Sequence, residues 1–169
     1  MKQLLLLRHA KSSWDDPDLD DFDRPVADRG LKAARLMGRE LAARDWLPEL
    51  ALVSPALRTR HTWRLVAAEL PVHPRVAFAE ALYEASAADI LGQVRQADPS
   101  SGCLVVVGHN PGLENLARQL AAPTSEIKAR KRLEEKFPTA ALARFVFEGH
   151  WSDLSSARLT HCLRPKDLS

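Results

Sequence analysis

Leu4-Leu5-Leu6-Leu7-Arg8-His9-Ala10-Lys11 is the stretch from which the rest of the chain can be read. Four consecutive aliphatic residues bounded by polar ones suit a strand covered on both faces, as in a parallel sheet. The run stops at an arginine and a histidine. Open α/β sheets carry their ligand-binding loops at the carboxyl ends of strands, and both residue types suit anion chemistry there. Arg8 offers five donors in a fixed fork, and His9 near neutral pH can be an unprotonated nucleophile or a proton carrier. By itself the octet fits equally well a strand that simply ends in two solvated polar residues.

The same pattern recurs downstream. Leu50-Ala51-Leu52-Val53 reads as a second buried strand and is followed by Ser54-Pro55. Serine as N-cap and proline at the first helical position predict a helix from Pro55 to about Leu70. Its first turns carry Arg58, Thr59, Arg60, His61 and Thr62, and a helix N-terminus with an arginine makes an anion site. Val76-Ala77-Phe78 is a short third strand leading to Glu80 and Tyr83, the latter read as packing. Ser86 then caps a helix with an apolar face of Ala87, Ile90, Leu91 and Val94. Leu104-Val105-Val106-Val107 is a fourth strand ending at Gly108-His109-Asn110-Pro111, where Asn110 and Pro111 are the expected start of a helix through Leu113, Leu116, Ala117 and Leu120.

The intervening segments read as scaffold. Asp28 is the expected N-cap of an amphipathic helix reaching Arg44, with Leu31, Ala34, Met37, Gly38 and Leu41 on its packed face. Asp15 to Asp23, with six aspartates and Pro17, reads as a solvated loop able to hold Arg24 by ion pairing. Ser125 to Phe137 reads as a solvated loop or short helix, with contact to an acidic partner as the lesser alternative. Ala141 to Phe147 and Ala157 to Leu163 form an expected terminal hairpin.

Composition sets the outer bounds. A chain of 169 residues fits one domain, residues 1–169, with a core that needs no staples. With 24 basic and 22 acidic residues there is no global field to recruit nucleic acid, and no aromatic stacking array accompanies the basic residues. No apolar run approaches the length that spans a bilayer, so a cytoplasmic protein without membrane attachment is expected. Cys103 and Cys162 sit in apolar strand-like segments and read as core residues. His73, His150 and His161 lack companions at ligand spacing, so neither metal nor other cofactor is expected. The fold expectation is an α/β three-layer sandwich: a mostly parallel central sheet flanked by helices, with Arg8, His9, Arg58 and His109 on one edge.

Two arginines and two histidines describe a pocket for phosphoryl transfer, which needs charge neutralisation on the phosphoryl oxygens and an in-line nucleophile. Leu7-Arg8-His9-Ala10, Ser54-Pro55-Ala56-Leu57-Arg58-Thr59 and Gly108-His109-Asn110 resemble the three signature blocks of the histidine phosphatase superfamily, which includes the phosphoglycerate mutases. Asp23-Arg24-Pro25 and Phe137-Pro138-Thr139-Ala140-Ala141 resemble segments of its small bacterial SixA-type phosphohistidine phosphatases. The resemblance implies a phosphoglycerate mutase-like fold and a role for each residue. His9 is then the nucleophile that accepts the phosphoryl group, Arg8 and Arg58 clamp its oxygens, and His109 donates to them. Glu80 falls where many members carry the acid that protonates a leaving oxygen, with a plain surface role as the alternative.

Two departures stand out: Ala10 replaces the family's usual glycine, and His61 its usual glutamine. Neither removes a charge that the mechanism needs. Only about fifty residues separate Arg58 from His109, consistent with an open site that can admit a protein-borne phosphate. The implied activity is a phosphatase acting through a phosphohistidine intermediate, on phosphohistidine in a protein or on a small phosphorylated metabolite. A mutase or a noncatalytic phosphate-binding module are the competing readings. A monomer is expected.

Overall fold

Leu4, Leu5, Leu6 and Leu7 are all fully buried in β1 (Lys2–Arg8), and the sheet explains why. In the computed structural model, which describes residues 1–168, β1 lies between β4 (Cys103–Gly108) on one side and β5 (Leu142–Phe147) on the other. Successive residues of a strand point to opposite faces. Leu4 and Leu6 therefore enter one core, and Leu5 and Leu7 the other.

The sheet has six strands in the order β3-β2-β4-β1-β5-β6, with β2 at Leu50–Val53, β3 at Arg75–Phe78 and β6 at Arg158–Leu163. β3, β2, β4 and β1 pair in parallel, β5 pairs antiparallel to β1, and β6 antiparallel to β5. Hence β6 runs in the same direction as β1, and its carboxyl end emerges on the same sheet edge.

Helices cover both faces. α1 (Asp28–Ala43) and α2 (Leu57–Ala67) pack over one face through Ala34, Met37, Leu41, Trp63 and Val66. α3 (Ala87–Arg95), α4 (Gly112–Leu120) and α5 (Ile127–Glu135) cover the other through Ile90, Val94, Leu113, Leu116, Ala129 and Leu133. A short α6 (Pro165–Leu168) follows β6. Cys103 and Cys162 are free and buried, and desolvation pushes their thiols up to about 12 and about 11, so both are inert core residues.

The layers match expectation, but several helix starts differ. α1 begins at Asp28 itself, with Ala27 as N-cap. α2 begins at Leu57 rather than Pro55, and Ala56 occupies the cap position without a side-chain bond. α4 begins at Gly112. Of the residues read as caps, Ser54 takes only a long bond from the Ala56 N–H (3.5 Å) and turns its hydroxyl to His109, while the Asn110 side chain donates to the Phe137 carbonyl. Ser86 does cap α3, in a reciprocal capping box with Asp89. The charged segment 125–137 is a packed helix, because Ala129 and Leu133 at four-residue spacing and the fully buried Phe137 anchor it to the core. β3 is exposed along its whole length, as an edge strand can be. Among the described residues no helix is long and apolar enough to cross a membrane.

Candidate active site

Strand register brings the candidate residues together. Leu7, Val107 and Val53 align across β1, β4 and β2. The chain leaves all three strands at one level, at Arg8-His9, Gly108-His109 and Ser54. The backbone of His9 is held from both sides: its N–H donates to the Gly108 carbonyl (3.1 Å), and its carbonyl accepts from the Ala140 N–H (3.0 Å). From α2, the Thr62 hydroxyl accepts the Ala10 N–H (2.9 Å) and donates to the Arg58 carbonyl (2.7 Å). One hydroxyl thus ties the loop after His9 to the backbone of the second arginine. The Ala10 methyl is buried in the α1–α2 core.

The His9 ring is 7% exposed, and its Nδ1 lies 2.8 Å from the Ala10 carbonyl. A carbonyl only accepts, so the proton sits on Nδ1 and Nε2 keeps its lone pair. Burial, reinforced by the positive fields of Arg58, Arg8 and Arg24, lowers the His9 pKa to about 4 despite the opposing carbonyl. The imidazole is neutral at pH 7 and competent as a nucleophile.

His109 faces it with ring centroids 5.4 Å apart. Its Nε2 lies 2.7 Å from the Ser54 hydroxyl, and its Nδ1 is buried without a partner. Desolvation, then Arg58 and His9, lowers its pKa to about 3. When Ser54 donates to Nε2, the ring proton resides on Nδ1, where it can serve an incoming oxyanion. Ser54 is free for this task because Thr59 ties down the turn, donating to the Ser54 and Ala56 carbonyls (2.7 and 2.8 Å).

Arg58 is 7% exposed and bound to Asp21: one terminal nitrogen donates to the Asp21 carbonyl (2.7 Å), the other to its carboxylate (3.0 Å). The same carboxylate accepts from Tyr83 OH (2.7 Å) and from Arg24 (2.9 Å). Partial burial opposes ionisation, but the bonds from Tyr83, Arg24 and Arg58 outweigh it and hold the carboxyl far below the usual range. Burial and the bond to Asp21 push Tyr83 up to about 12, so it keeps its proton. Arg24 also donates to the Ser12 hydroxyl, and Trp14 stacks over its guanidinium at 3.5 Å. The expected pairing of the aspartate loop with Arg24 is present, through Asp21. That Asp21 also holds Arg58, and that Tyr83 joins it at the site beside His109 (ring centroids 5.6 Å), had no local sequence signal.

Arg8 donates to the Phe137 carbonyl (3.3 Å), which also accepts from the Asn110 side chain (2.8 Å), while the Phe137 N–H donates to Glu114 (3.1 Å). Burial lowers the Arg8 pKa, partly offset by Glu114. The four buried side-chain polar atoms without a partner among the described residues are Arg8 Nε, Arg58 Nε, His109 Nδ1 and Asn110 Oδ1. Buried polar atoms are rarely left unpaired, and here they belong to three of the five predicted residues, Arg8, Arg58 and His109, and to a direct neighbour of the last. Three guanidiniums, of Arg8, Arg24 and Arg58, against two carboxylates, of Asp21 and Glu114, leave the region positive, suited to a phosphoryl group.

Glu80 stands apart. It lies in a single helical turn (Glu80–Leu82) beyond β3, exposed, and its side chain makes no hydrogen bond to the described residues. His61 is half-buried in α2 and likewise makes no side-chain bond to them. Among the described residues no three His, Cys, Asp or Glu side chains are placed to hold a metal ion.

A neutral histidine backed by buried arginines at a parallel sheet edge defines a phosphoryl-transfer enzyme, and comparison with known proteins gives its family. The chain belongs to the histidine phosphatase superfamily (branch 1), whose family model matches residues 4–101, a span that holds Arg8, His9, Arg58 and Glu80 and ends before His109. An uncharacterised protein of Mycobacterium tuberculosis is 34% identical, with 88% of this chain and 91% of that protein aligned. Two solved structures named as phosphohistidine phosphatase SixA, from Nakamurella multipartitia and Agrobacterium tumefaciens, each superpose with a TM-score of 0.82. They are 28% and 27% identical, with 97% of this chain and 96% and 98% of theirs covered. The protein is therefore a histidine-type phosphatase of SixA type.

Proposed function

We propose that the protein dephosphorylates phosphohistidine borne by another protein, through a phosphorylated His9. His9 Nε2 attacks the phosphorus while the bond from phosphorus to the substrate's imidazole nitrogen breaks and its electron pair goes to that nitrogen. Arg8 and Arg58 clamp the phosphoryl oxygens, and His109 Nδ1–H stabilises the charge they gather in the transition state. Water then attacks the phosphorus of phospho-His9, the bond to Nε2 breaks with its electron pair going to that nitrogen, and inorganic phosphate leaves with both protons of the water. The Nδ1 proton held by the Ala10 carbonyl lets His9 depart as a neutral imidazole in this second step.

One observation carries the choice of substrate. The carboxyl group at the centre of the site, Asp21, is held ionised, and the Glu80 side chain is exposed and makes no hydrogen bond to the described residues. An alkoxide leaving group needs a proton from a positioned acid. The imidazole of phosphohistidine does not, because its distal ring nitrogen can take a proton from solvent before attack. The names of the two SixA neighbours point the same way. The position of Glu80 just beyond β3, on the active edge, favours the competing reading of a small phosphomonoester substrate.

The test compares a phosphohistidine peptide, a phosphoserine peptide and an aryl phosphate, in chelator, with native protein and His9→Ala. Phosphate release from the phosphohistidine peptide by the native protein alone, with acid-labile label passing transiently onto it, is expected. Release that persists in His9→Ala sinks the mechanism. Preference for the phosphoserine peptide, lost in Glu80→Gln, transfers the substrate to phosphomonoesters.

A further inference from the structure

The two sides of the active edge carry opposite charge. On the β2–β3 side lies the aspartate loop: Asp21 turns inward to Arg58 and Tyr83, leaving Asp15, Asp16, Asp18 and Asp20 exposed. On the β1–β6 side is a depression of about 320 Å³ between the loop after His9, the start of α1 and α6. Lys11, Arg29 and Lys166 line it, with Ala33, Pro138 and Pro165 as apolar surface. Each of the three cations is exposed, and among the described residues none has a carboxylate within salt-bridge distance. Arg164, also in the lining, is buried and neutralised by Asp167 and Glu135.

The depression is built onto the reaction centre. Lys11 is two residues beyond His9, and its carbonyl accepts the Ala27 N–H (2.7 Å) at the start of α1, which fixes the distance between Lys11 and Arg29. Pro138 and Thr139 lead into Ala140, whose N–H holds the His9 carbonyl. Because β6 runs parallel to β1, α6 brings Lys166 to the same edge. The segments that shape the depression are therefore those that position His9.

We infer that this depression docks an acidic surface of the phosphoprotein substrate, beside the phosphorylated histidine, while the aspartate loop repels the same surface from the opposite side. The inference rests on the phosphohistidine reading above and adds the partner's surface chemistry and its orientation. Unpaired cations flanking an open site raise the encounter rate with an acidic partner and set its register, whereas the opposing aspartates disfavour the reversed approach. A small phosphate ester, which reaches only Arg8, His9, Arg58 and His109, does not feel the depression beyond its general field.

The experiment uses the full chain and its Arg29→Glu/Lys166→Glu variant, both exposed positions outside the site. Three phosphohistidine peptides, with glutamate, serine or lysine flanks, are compared with an aryl phosphate at low and high salt. The native protein should favour the glutamate-flanked peptide in kcat/KM by about tenfold over the lysine-flanked one, a margin that salt erases. The variant should invert that order while turning over the aryl phosphate as the native protein does, which also shows that it is folded. Equal kcat/KM on all three peptides overturns the docking inference alone. No hydrolysis of any phosphohistidine peptide, with the aryl phosphate still turned over, overturns the phosphohistidine reading and this inference with it. A native dimer that the double variant converts to a monomer assigns the depression to the aspartate loop of a second copy and overturns it too.

Discussion

Ser54→Ala isolates a hydroxyl whose expected effect follows from geometry. Ser54 is fully buried, and its oxygen lies 2.7 Å from His109 Nε2. With the hydroxyl donating, Nδ1 carries the proton and faces the site as a donor. In the alanine variant Nε2 becomes a buried acceptor with no partner, which costs about 1–3 kcal/mol of stability. The ring is then free to place its proton on Nε2 and turn Nδ1 into an acceptor, which repels a phosphoryl oxygen. Full loss of an oxyanion donor costs about 10²–10³ in kcat. Here the productive tautomer survives as a fraction of the population, so kcat should fall about tenfold, less than in His109→Ala. KM should change little, because the arginines supply most of the ground-state attraction. Steady-state turnover of an aryl phosphate measures the rates, and ¹⁵N shifts of the His109 ring report the tautomer directly. Native kcat with Nδ1 still protonated would refute the argument, as would a loss equal to that of His109→Ala.

Other expectations follow from the same geometry. Asp21→Asn removes the anion that orients Arg58 but also repels a phosphoryl dianion, so kcat for an aryl phosphate should fall about tenfold while KM stays level or drops; a raised KM at unchanged kcat contradicts this. The folded-state pKa values of His9 and His109, about 4 and about 3, lie below their ordinary value of 6.5. Their contribution to stability is complete above pH 6.5 and is lost as pH falls toward 4 for His9 and toward 3 for His109, by at most about 3 and about 5 kcal/mol respectively. Denaturant midpoints between pH 7 and 4.5 should fall less steeply in His9→Gln/His109→Gln, and parallel curves would discount the effect. Gly30→Ala drives a methyl carbon into the Lys11 carbonyl oxygen and should destabilise by about 1–3 kcal/mol while disturbing the loop after His9. Gly92→Ala, with nothing within 4 Å of the new carbon, should stabilise α3 by about 0.5–1 kcal/mol. Melting curves that rank the two glycine variants in the opposite order would refute the packing argument.

Much of this architecture was legible in sequence because the signals are local. A fully apolar strand carries its burial in its own composition, as in Leu4–Leu7 and Val105–Val107, and helix faces repeat at three and four residues, as in Leu113, Leu116, Ala117 and Leu120. Residues that follow parallel strands of this kind lie on the active edge, which places Arg8, His9 and His109 there from the sequence alone, and the helix after β2 adds Arg58. The roles of Ser54 and Asn110 were read wrongly for an equally local reason. Serine before proline and asparagine before proline are cap signatures, yet here the fold offers each side chain a partner distant in sequence, His109 just beyond β4 for Ser54 and the Phe137 carbonyl in the loop before β5 for Asn110.

What tertiary structure alone decided is the charge pattern around those residues. Asp21 is one of six aspartates in a short loop, and nothing in its neighbours distinguishes it from Asp20 or Asp23. Only the approach of β2, β3 and the loop after β1 brings Arg58, Tyr83 and Arg24 to a single carboxylate. Lys11, Arg29 and Lys166 likewise share one depression although Lys166 is far from the others in sequence, because β6 runs parallel to β1 and delivers α6 to the same edge. Burial and helix phase are written within a few residues and survive in a linear reading. A Coulomb interaction depends on distance in space, and for residues separated by long stretches of chain that distance is set by sheet order and strand direction.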